Sequence, residues 1–324
     1  MAHRTTRALW LAATLWLCAQ AAAAADYPTR TIALVVPYPA GGVVDIVGRV
    51  IAQHLTGALG QQVIVENVAG AAGTIGAARV AKAAPDGYTL MLGGAATQVF
   101  APAMYKDVPY DPVKSFTPIV QVSAEPLVLV VSKSLPVDNF AQLVDYIKAH
   151  GDTINYASNG PGTFPHLCAE LLKQATGIKA THIPYPGGAQ SMVALIGGDV
   201  TFSINHMPVV LSQIRGGKVK ALAVTASHRS PLLPDVPTFQ ELGVEGLQAS
   251  AWWGLYAPAG TPPAIVARIN GAVNELLQED AVRQALLKVG DEAAGGTPAQ
   301  LADYQRSEAG KWPDVIRRVG VKVN

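Results

Sequence analysis

Val35-Val36-Pro37-Tyr38-Pro39-Ala40-Gly41-Gly42-Val43-Val44-Asp45 stands between two different periodicities. Ahead of it, Thr31–Val36 is short, apolar and β-branched, which predicts a buried strand. Behind it, Val43, Val47, Val50, Ile51 and Leu55 recur at helical spacing. The two prolines and two glycines between them predict a strand-to-helix loop. No side chain shields the backbone at Gly41-Gly42. Their N–H groups, with the first free N–H groups of the helix, can therefore converge on one spot. A helix N-terminus carries about half a positive charge, so that spot favours an anion. The stretch predicts a cleft built around an anion seat, although an ordinary tight strand–helix turn would use the same residues.

The pattern repeats downstream. Gln62–Glu66 predicts a second strand, and a helix follows through Ala77–Ala83. Between them, Gly70, Gly73 and Gly76 have a spacing similar to a dinucleotide loop. That fingerprint belongs to the first βα unit and needs an acidic residue about 20 positions on, after a second strand. Asp86 falls in a Pro85-Asp86-Gly87 turn instead. The glycines predict a second loop facing the same cleft, or close helix packing. Tyr88–Leu92 predicts a third strand, leading into Gly93-Gly94-Ala95-Ala96-Thr97. Alternating strands and helices imply a parallel sheet, with ligands at the carboxyl ends of its strands, which places Ala95 and Thr97 at the site. Ile119–Val122 and Leu127–Val131, around Glu125-Pro126, read as a crossover to a second domain.

That domain follows the same plan. Phe140–Ala149 predicts an amphipathic helix, Ile154–Ala157 a strand, and Ser158–Thr163 a turn whose Thr163 caps a helix over Phe164–Ala175. His166 falls in the first turn of that helix, as a ligand contact or as a partly exposed helix residue. Thr181–Gly188 then repeats the motif of strand, Pro-Tyr-Pro, two glycines and helix, so each half would present one tyrosine and one helix N-terminus to a shared cleft. Val200–Ile204 and Lys220–Thr225 predict strands, with Asn205-His206-Met207-Pro208 at the exit of the first. Ala251–Tyr256 predicts the return to the first domain, where Trp252 and Trp253 are assigned to hinge packing. Helices are expected from Ile265 to Lys288, and as two further patches over Pro298–Glu308 and Trp312–Val319.

The chain has 324 residues, long for one core, so two domains are expected. Residues 1–25 read as a cleaved secretory signal: Arg4 and Arg7, an apolar Ala8–Leu17 too short to span a bilayer, and a small-residue site at Ala23-Ala24-Ala25. Bulky Trp16 and Leu17 argue against Cys18 as a lipid-anchored cysteine. An exported, periplasmic protein follows, with 26–125 plus 250–324 as domain 1 and 126–249 as domain 2. Lys and Arg number 24 against 23 Asp and Glu, so nothing marks a nucleic-acid or membrane surface. Cys168 remains alone after processing, which excludes an intramolecular disulfide, and it reads as a packed helix residue.

Taken in order, Pro37–Asp45, Pro85-Asp86-Gly87-Tyr88, Tyr110-Asp111-Pro112, Tyr185-Pro186-Gly187-Gly188, Gly217–Val224, Leu233–Thr238 and Pro258–Pro262 resemble the Bug family. These are the TctC-like extracytoplasmic solute receptors of tripartite tricarboxylate transporters. The resemblance implies an α/β, two-domain type II periplasmic binding protein that closes on its solute like a flytrap, each domain a mainly parallel sheet flanked by helices. It implies a small carboxylate as solute, held by backbone N–H groups of the Tyr38–Gly42 loop and bridging waters, and two integral membrane subunits as partners. Carried over residue by residue, it nominates Tyr38, Gly41, Gly42, Asp45, Gly73, Thr74, Ala95, Thr97, Asn159, Thr163, His166, Tyr185, Gly188 and Asn205. The sequence departs from the family where Pro186 replaces a frequent Lys, where Asn205 stands near a frequent Asp, and at Ala101, near a frequent Asn.

The glycine loops contain no Arg or Lys, so the expected grip is by backbone dipoles. Hydrogen bonds to a charged oxygen contribute about 1.5–3 kcal/mol each, and several together would support micromolar binding, about 8 kcal/mol. Asp45 is expected to brace the loop or, failing that, to meet a cationic solute group. No catalytic signature is present: the chain lacks His-Glu-x-x-His, Gly-x-Ser-x-Gly and Cys-x-x-Cys, and its histidines are far apart in sequence. The expectation is a monomeric, cofactor-free receptor rather than an enzyme, with a periplasmic sensor feeding a signalling system as the alternative.

Overall fold

The computed structural model describes residues 27–320, so the expected signal segment and its cleavage site lie outside the described residues. The first half of the fold opens with β1 (Ile32–Val36), α1 (Val43–Leu59), β2 (Val63–Asn67), α2 (Thr74–Ala81) and β3 (Thr89–Gly94). Then comes β4 (Phe116–Ser132), a 17-residue strand. The second half comprises α3 (Phe140–His150), β5 (Asn155–Ser158), α4 (Phe164–Thr176), β6 (Thr181–Pro184), α5 (Gly188–Gly197), β7 (Phe202–His206), α6 (Met207–Arg215) and β8 (Val219–Val224). The chain returns through β9 (Ser250–Pro258) and finishes with α7 (Pro263–Leu276), α8 (Asp280–Lys288), β10 (Glu292–Gly295) and α9 (Pro298–Val319).

The strands run in the order β2-β1-β3-β9-β4-β7-β5-β6, with β8 and β10 also paired to β4. β1 is parallel to β2 and β3, and β5 is parallel to β6 and β7. The joining strands run antiparallel: β9 pairs β3 and the first part of β4, while β7 and β8 pair its second part. The two apolar runs around Glu125-Pro126, expected as a crossover to a second domain, are parts of one continuous strand. Its first part, Phe116–Pro126, belongs to one half of the sheet and Leu127–Ser132 to the other.

Both faces of the sheet are covered, and alternation along the strands divides the side chains between them. Leu34 and Val36 pack with Val47, Ile51, Leu55 and the α7 residues Ile269 and Val273. Val35, between them, points to the other face with Ala77, Val80 and Trp252. In β4, Val128 and Val130 meet Met192, Leu195 and Val210, while Leu127, Leu129 and Val131 meet Leu143, Leu167 and Phe202. That two-sided burial is why these strands read as unbroken apolar runs.

The two helical patches expected at the end of the chain are one 22-residue helix with Pro313 inside it. Thr297 and Gln300 form a reciprocal capping box at its start. Leu301, Gln305 and Glu308 are buried before the proline, and Val315 and Ile316 after it, so one packed stripe runs through the break. Trp312 Nε1 donates to Glu308 Oε2 at 2.7 Å and ties the turn ahead of Pro313. Packing thus outweighs the missing backbone donor. Two elements, α6 and β10, have no counterpart among the sequence expectations. Among the described residues no helix is long and apolar enough to cross a membrane.

Candidate functional site

The carboxyl ends of β1 and β3 open onto a cavity of about 390 Å³ between the two halves of the sheet. From the first half it is lined by Tyr38 and Ala72, by Ala95, Ala96 and Phe100 just after β3, and by Met104 and Tyr105. From the other side come the turn Pro161–Phe164 at the start of α4 and His206 at the end of β7. Ala251, Trp252 and Trp253 of β9 close the back. Of the nominated residues, Tyr38, Ala95 and Thr163 lie in this wall.

The Pro37–Gly42 loop is shaped by Asp45. Its Oδ2 accepts from the Gly41 N–H at 2.8 Å and from Arg49 Nε at 3.0 Å, and its Oδ1 accepts from Asn67 Nδ2 at 2.9 Å. Asn67 Nδ2 also donates to the Tyr38 carbonyl at 3.1 Å. Asp45 is 3% exposed, and the Arg49 hydrogen bond, against the cost of burial, draws its carboxyl down to about 2. This corrects the expected seat at one position: the Gly41 N–H is already committed to Asp45. Asp45 is the brace of the loop, and Gly41, at φ +84°, supplies the left-handed turn that aims its N–H inward. The first intrahelical bond of α1 runs from the Ile46 N–H to the Gly42 carbonyl, so the N–H groups of Val43, Val44 and Asp45 have no partner within the helix.

The second glycine loop is also largely self-satisfied. Residues Gly70 to Gly73 all have positive φ, including Ala71 at 45° and Ala72 at 55°, forming a left-handed turn ahead of α2. A Cβ at Gly73 would lie 2.8 Å from Thr97 Cγ2, and one at Gly76 2.7 Å from the Val68 carbonyl oxygen. The glycine spacing therefore serves close packing, and Gly73 lies behind the wall. Thr74 is buried, and its hydroxyl donates to the Ala71 carbonyl at 2.9 Å. Thr97 is fully buried too. Its Oγ1 lies 3.2 Å from Gly94 N and Gly94 O, and its carbonyl accepts from Tyr110 OH. Thr97 thus shapes the π-helical turn Ala96–Phe100 that carries Ala96 and Phe100 into the cavity. Across β3 and β9, Gly94 is paired with Trp253, and a Cβ there would lie 2.2 Å from the Trp252 carbonyl oxygen.

In the second half the structure moves several nominees away from the cavity. Asn205 is fully buried. Its Nδ2 donates to Ser191 Oγ at 2.9 Å, and its Oδ1 accepts from Asn159 Nδ2 at 3.1 Å and from the His206 N–H at 2.9 Å. Asn159 Oδ1 in turn accepts from Ser191 Oγ at 3.2 Å. These amides knot β5, α5 and β7 together behind the wall. Gly188 packs there as well, with its Cβ position 2.9 Å from Val209 Cγ2. Tyr185 lies outside the cavity wall, half-buried against the apolar cluster that contains Val128, Val130 and Leu195. The symmetry expected from the repeated Pro-Tyr-Pro motif is therefore not realised at this cavity. The helix start that the second half presents is that of α4.

Thr163 precedes α4 without the expected side-chain cap: its hydroxyl donates to the Gly160 carbonyl at 2.7 Å. The Gly162 N–H donates to His166 Nδ1 at 3.0 Å. His166 is 4% exposed and stacks on His182 at 3.9 Å between ring centroids. Burial, and then His182, push its pKa down to about 4, so the imidazole is a neutral acceptor. His166 is thus neither a partly exposed helix residue nor part of the wall, but the strut that holds the turn Gly160–Thr163.

Several wall residues had no role in the sequence reading. Trp252 and Trp253, assigned to packing, reach the cavity, and Trp253 meets the Tyr38 ring edge-on at 5.9 Å. The Tyr38 hydroxyl is buried without a hydrogen-bond partner, while the Trp253 and Trp252 indoles face the buried carboxyls of Asp291 and Glu308. His206 Nδ1 lies 3.2 Å from Glu125 Oε1, an ionic contact without the alignment of a hydrogen bond. The position of His206 at a strand's carboxyl end was the available signal.

Comparison with known proteins gives a consistent pattern. Residues 47–321 match the family model described as the tripartite tricarboxylate transporter family receptor. Protein BugT of Bordetella pertussis is 39% identical over 298 residues, covering 92% of this chain and 91% of that protein. A Rhodopseudomonas palustris protein solved with adipate is 35% identical with a TM-score of 0.75, covering 91% of this chain and 99% of that one. MatC of the same organism, solved with bound malate, is 37% identical with a TM-score of 0.70, covering 90% and 100%.

Proposed function

Because the chain belongs to the tripartite tricarboxylate transporter receptor family, we propose that it is an exported, non-enzymatic receptor that binds a small carboxylate between its two halves. The solute is handed to two integral membrane subunits. The observation that carries this reading is the cavity itself, set where the carboxyl ends of β1 and β3 face the start of α4. The relatives solved with adipate and with malate support a carboxylate as the class of solute.

In this reading residues 26–125 with 250–324 form one lobe, 126–249 the other, and the receptor acts as a monomer. A solute touching Tyr38 and Phe100 on one side and Thr163 and His206 on the other stabilises the closed arrangement by its own differential contacts. The anion meets the free N–H groups at the starts of α1 and α4 and the unpartnered Tyr38 hydroxyl. Asp45 and His166 hold the two loops in place from behind.

A thermal-shift panel of mono-, di- and tricarboxylates tests the reading. Ligand at a hundred times its Kd stabilises by about 2.7 kcal/mol, a rise of about 5 °C or more for a chain of this size. At least one acid is expected to give that rise, and matched neutral amides none. A panel in which no carboxylate moves the melting temperature overturns the proposal.

A further inference from the structure

The wall of this cavity is dominated by carbon. Phe100, Met104, Phe164, Trp252 and Trp253 supply its largest apolar side chains, with alanines and Pro161 between them and hydroxyls only from Tyr38, Tyr105 and Thr163. Neither Lys nor Arg lines it, and neither does Asp or Glu; His206 is the one lining side chain able to carry a full charge near neutral pH.

What stands behind His206 fixes that charge. Glu125, 2% exposed, sits against its Nδ1. Asp291, fully buried, lies beside Glu125, with the Trp253 indole and the Ser123 hydroxyl facing its carboxyl group. Burial first, and the neighbouring Glu125 second, push the Asp291 carboxyl far up, so it holds its proton. Burial alone would lower the His206 pKa, but the Glu125 charge outweighs it and raises the value. With Nδ1 against Glu125, Nε2 is the ring nitrogen of His206 left without a protein partner among the described residues.

Resting on the receptor reading above, we infer that this cavity selects an acid with a single carboxylate on an apolar, ring-bearing body. The carboxylate meets His206 Nε2–H, the Tyr38 hydroxyl and the N–H at the start of α4. The ring lies among Phe100, Phe164, Trp252 and Trp253. A second carboxylate would be stripped of water against these aromatic faces with no cation to meet it, which is costly for an ion. The aromatic wall gains instead from burying a ring.

Titration calorimetry on the mature chain, with benzoate, terephthalate, adipate, malate, citrate and benzamide, tests this. Benzoate is expected to bind at least tenfold more tightly than terephthalate, adipate, malate or citrate, and at least tenfold more tightly than its neutral amide. His206→Gln should lower benzoate affinity about tenfold and leave the weaker benzamide binding within twofold. The wild-type series does not depend on how that variant folds. Equal or tighter binding of a di- or tricarboxylate overturns the single-carboxylate inference while leaving the receptor reading standing. Equal losses for benzoate and benzamide in His206→Gln remove His206 as the charge partner. Binding by none of the acids ends both proposals.

Discussion

Asp45 shows how a single residue organises a loop without touching what the loop is for. Its carboxylate collects donors from Gly41, Arg49 and Asn67, and so pins the chain between β1 and α1. Asp45→Ala should cost about 1 kcal/mol, because the Gly41 N–H and the Asn67 amide lose their shared acceptor, and should weaken solute binding as the loop loosens. The pH dependence has a definite sign. The folded pKa of about 2 lies below the ordinary 3.8, so the stabilisation is complete above pH 4 and is lost as pH falls through 2. Denaturant titrations of wild type and Asp45→Asn should therefore differ most at neutral pH and converge near pH 2. A constant gap across that range would show that the carboxylate's charge is not what matters. This loop was legible in sequence because glycine and proline have few uses. Its brace was only half legible: Asp45 lies nearby in sequence, whereas Asn67 reaches the loop only through the pairing of β1 with β2.

At the scale of elements, the first three strands and their helices follow from apolar runs and helical spacing, within a few residues of the expected limits. The turn from Gly70 to Gly73 does not. Glycine at 70 and 73 suits positive φ, but nothing in an alanine announces it, and Ala71 and Ala72 adopt the left-handed region because the turn on either side demands it. Ala71→Gly should relieve that strain and raise stability by about 0.5–1 kcal/mol, about 1 °C in melting temperature. No gain, or a loss, would mean that the alanine side chain contributes contacts worth more than the strain. The cavity wall was the least legible part. Phe100 reaches it by way of a π-helical turn, and Phe164 by a turn held from behind by His166. Both depend on buried hydrogen bonds formed between residues that sequence spacing alone cannot pair with certainty.

For the whole molecule, two halves with parallel strands, a cavity between them and crossings near Glu125-Pro126 and Ala251–Tyr256 were expected, whereas the antiparallel pairs that β4 and β9 make through the middle of the sheet were not. β4 and β9 pair from Phe116–Pro258 to Pro126–Ser250 with two shifts of register, and β4 then runs on into the second half without a break. A solute that draws the halves together should produce a fall in the radius of gyration by small-angle scattering, in step with occupancy. An unchanged radius at saturation would mean that binding leaves the arrangement as it is. A link made of extended, hydrogen-bonded chain has a mechanical consequence. It behaves as a leaf spring rather than a string: it can flex and twist by small amounts at every residue, but it cannot swing freely. In the proposed receptor, a capture that drew the halves together would bend this strand and load it along its length, and the load would favour reopening.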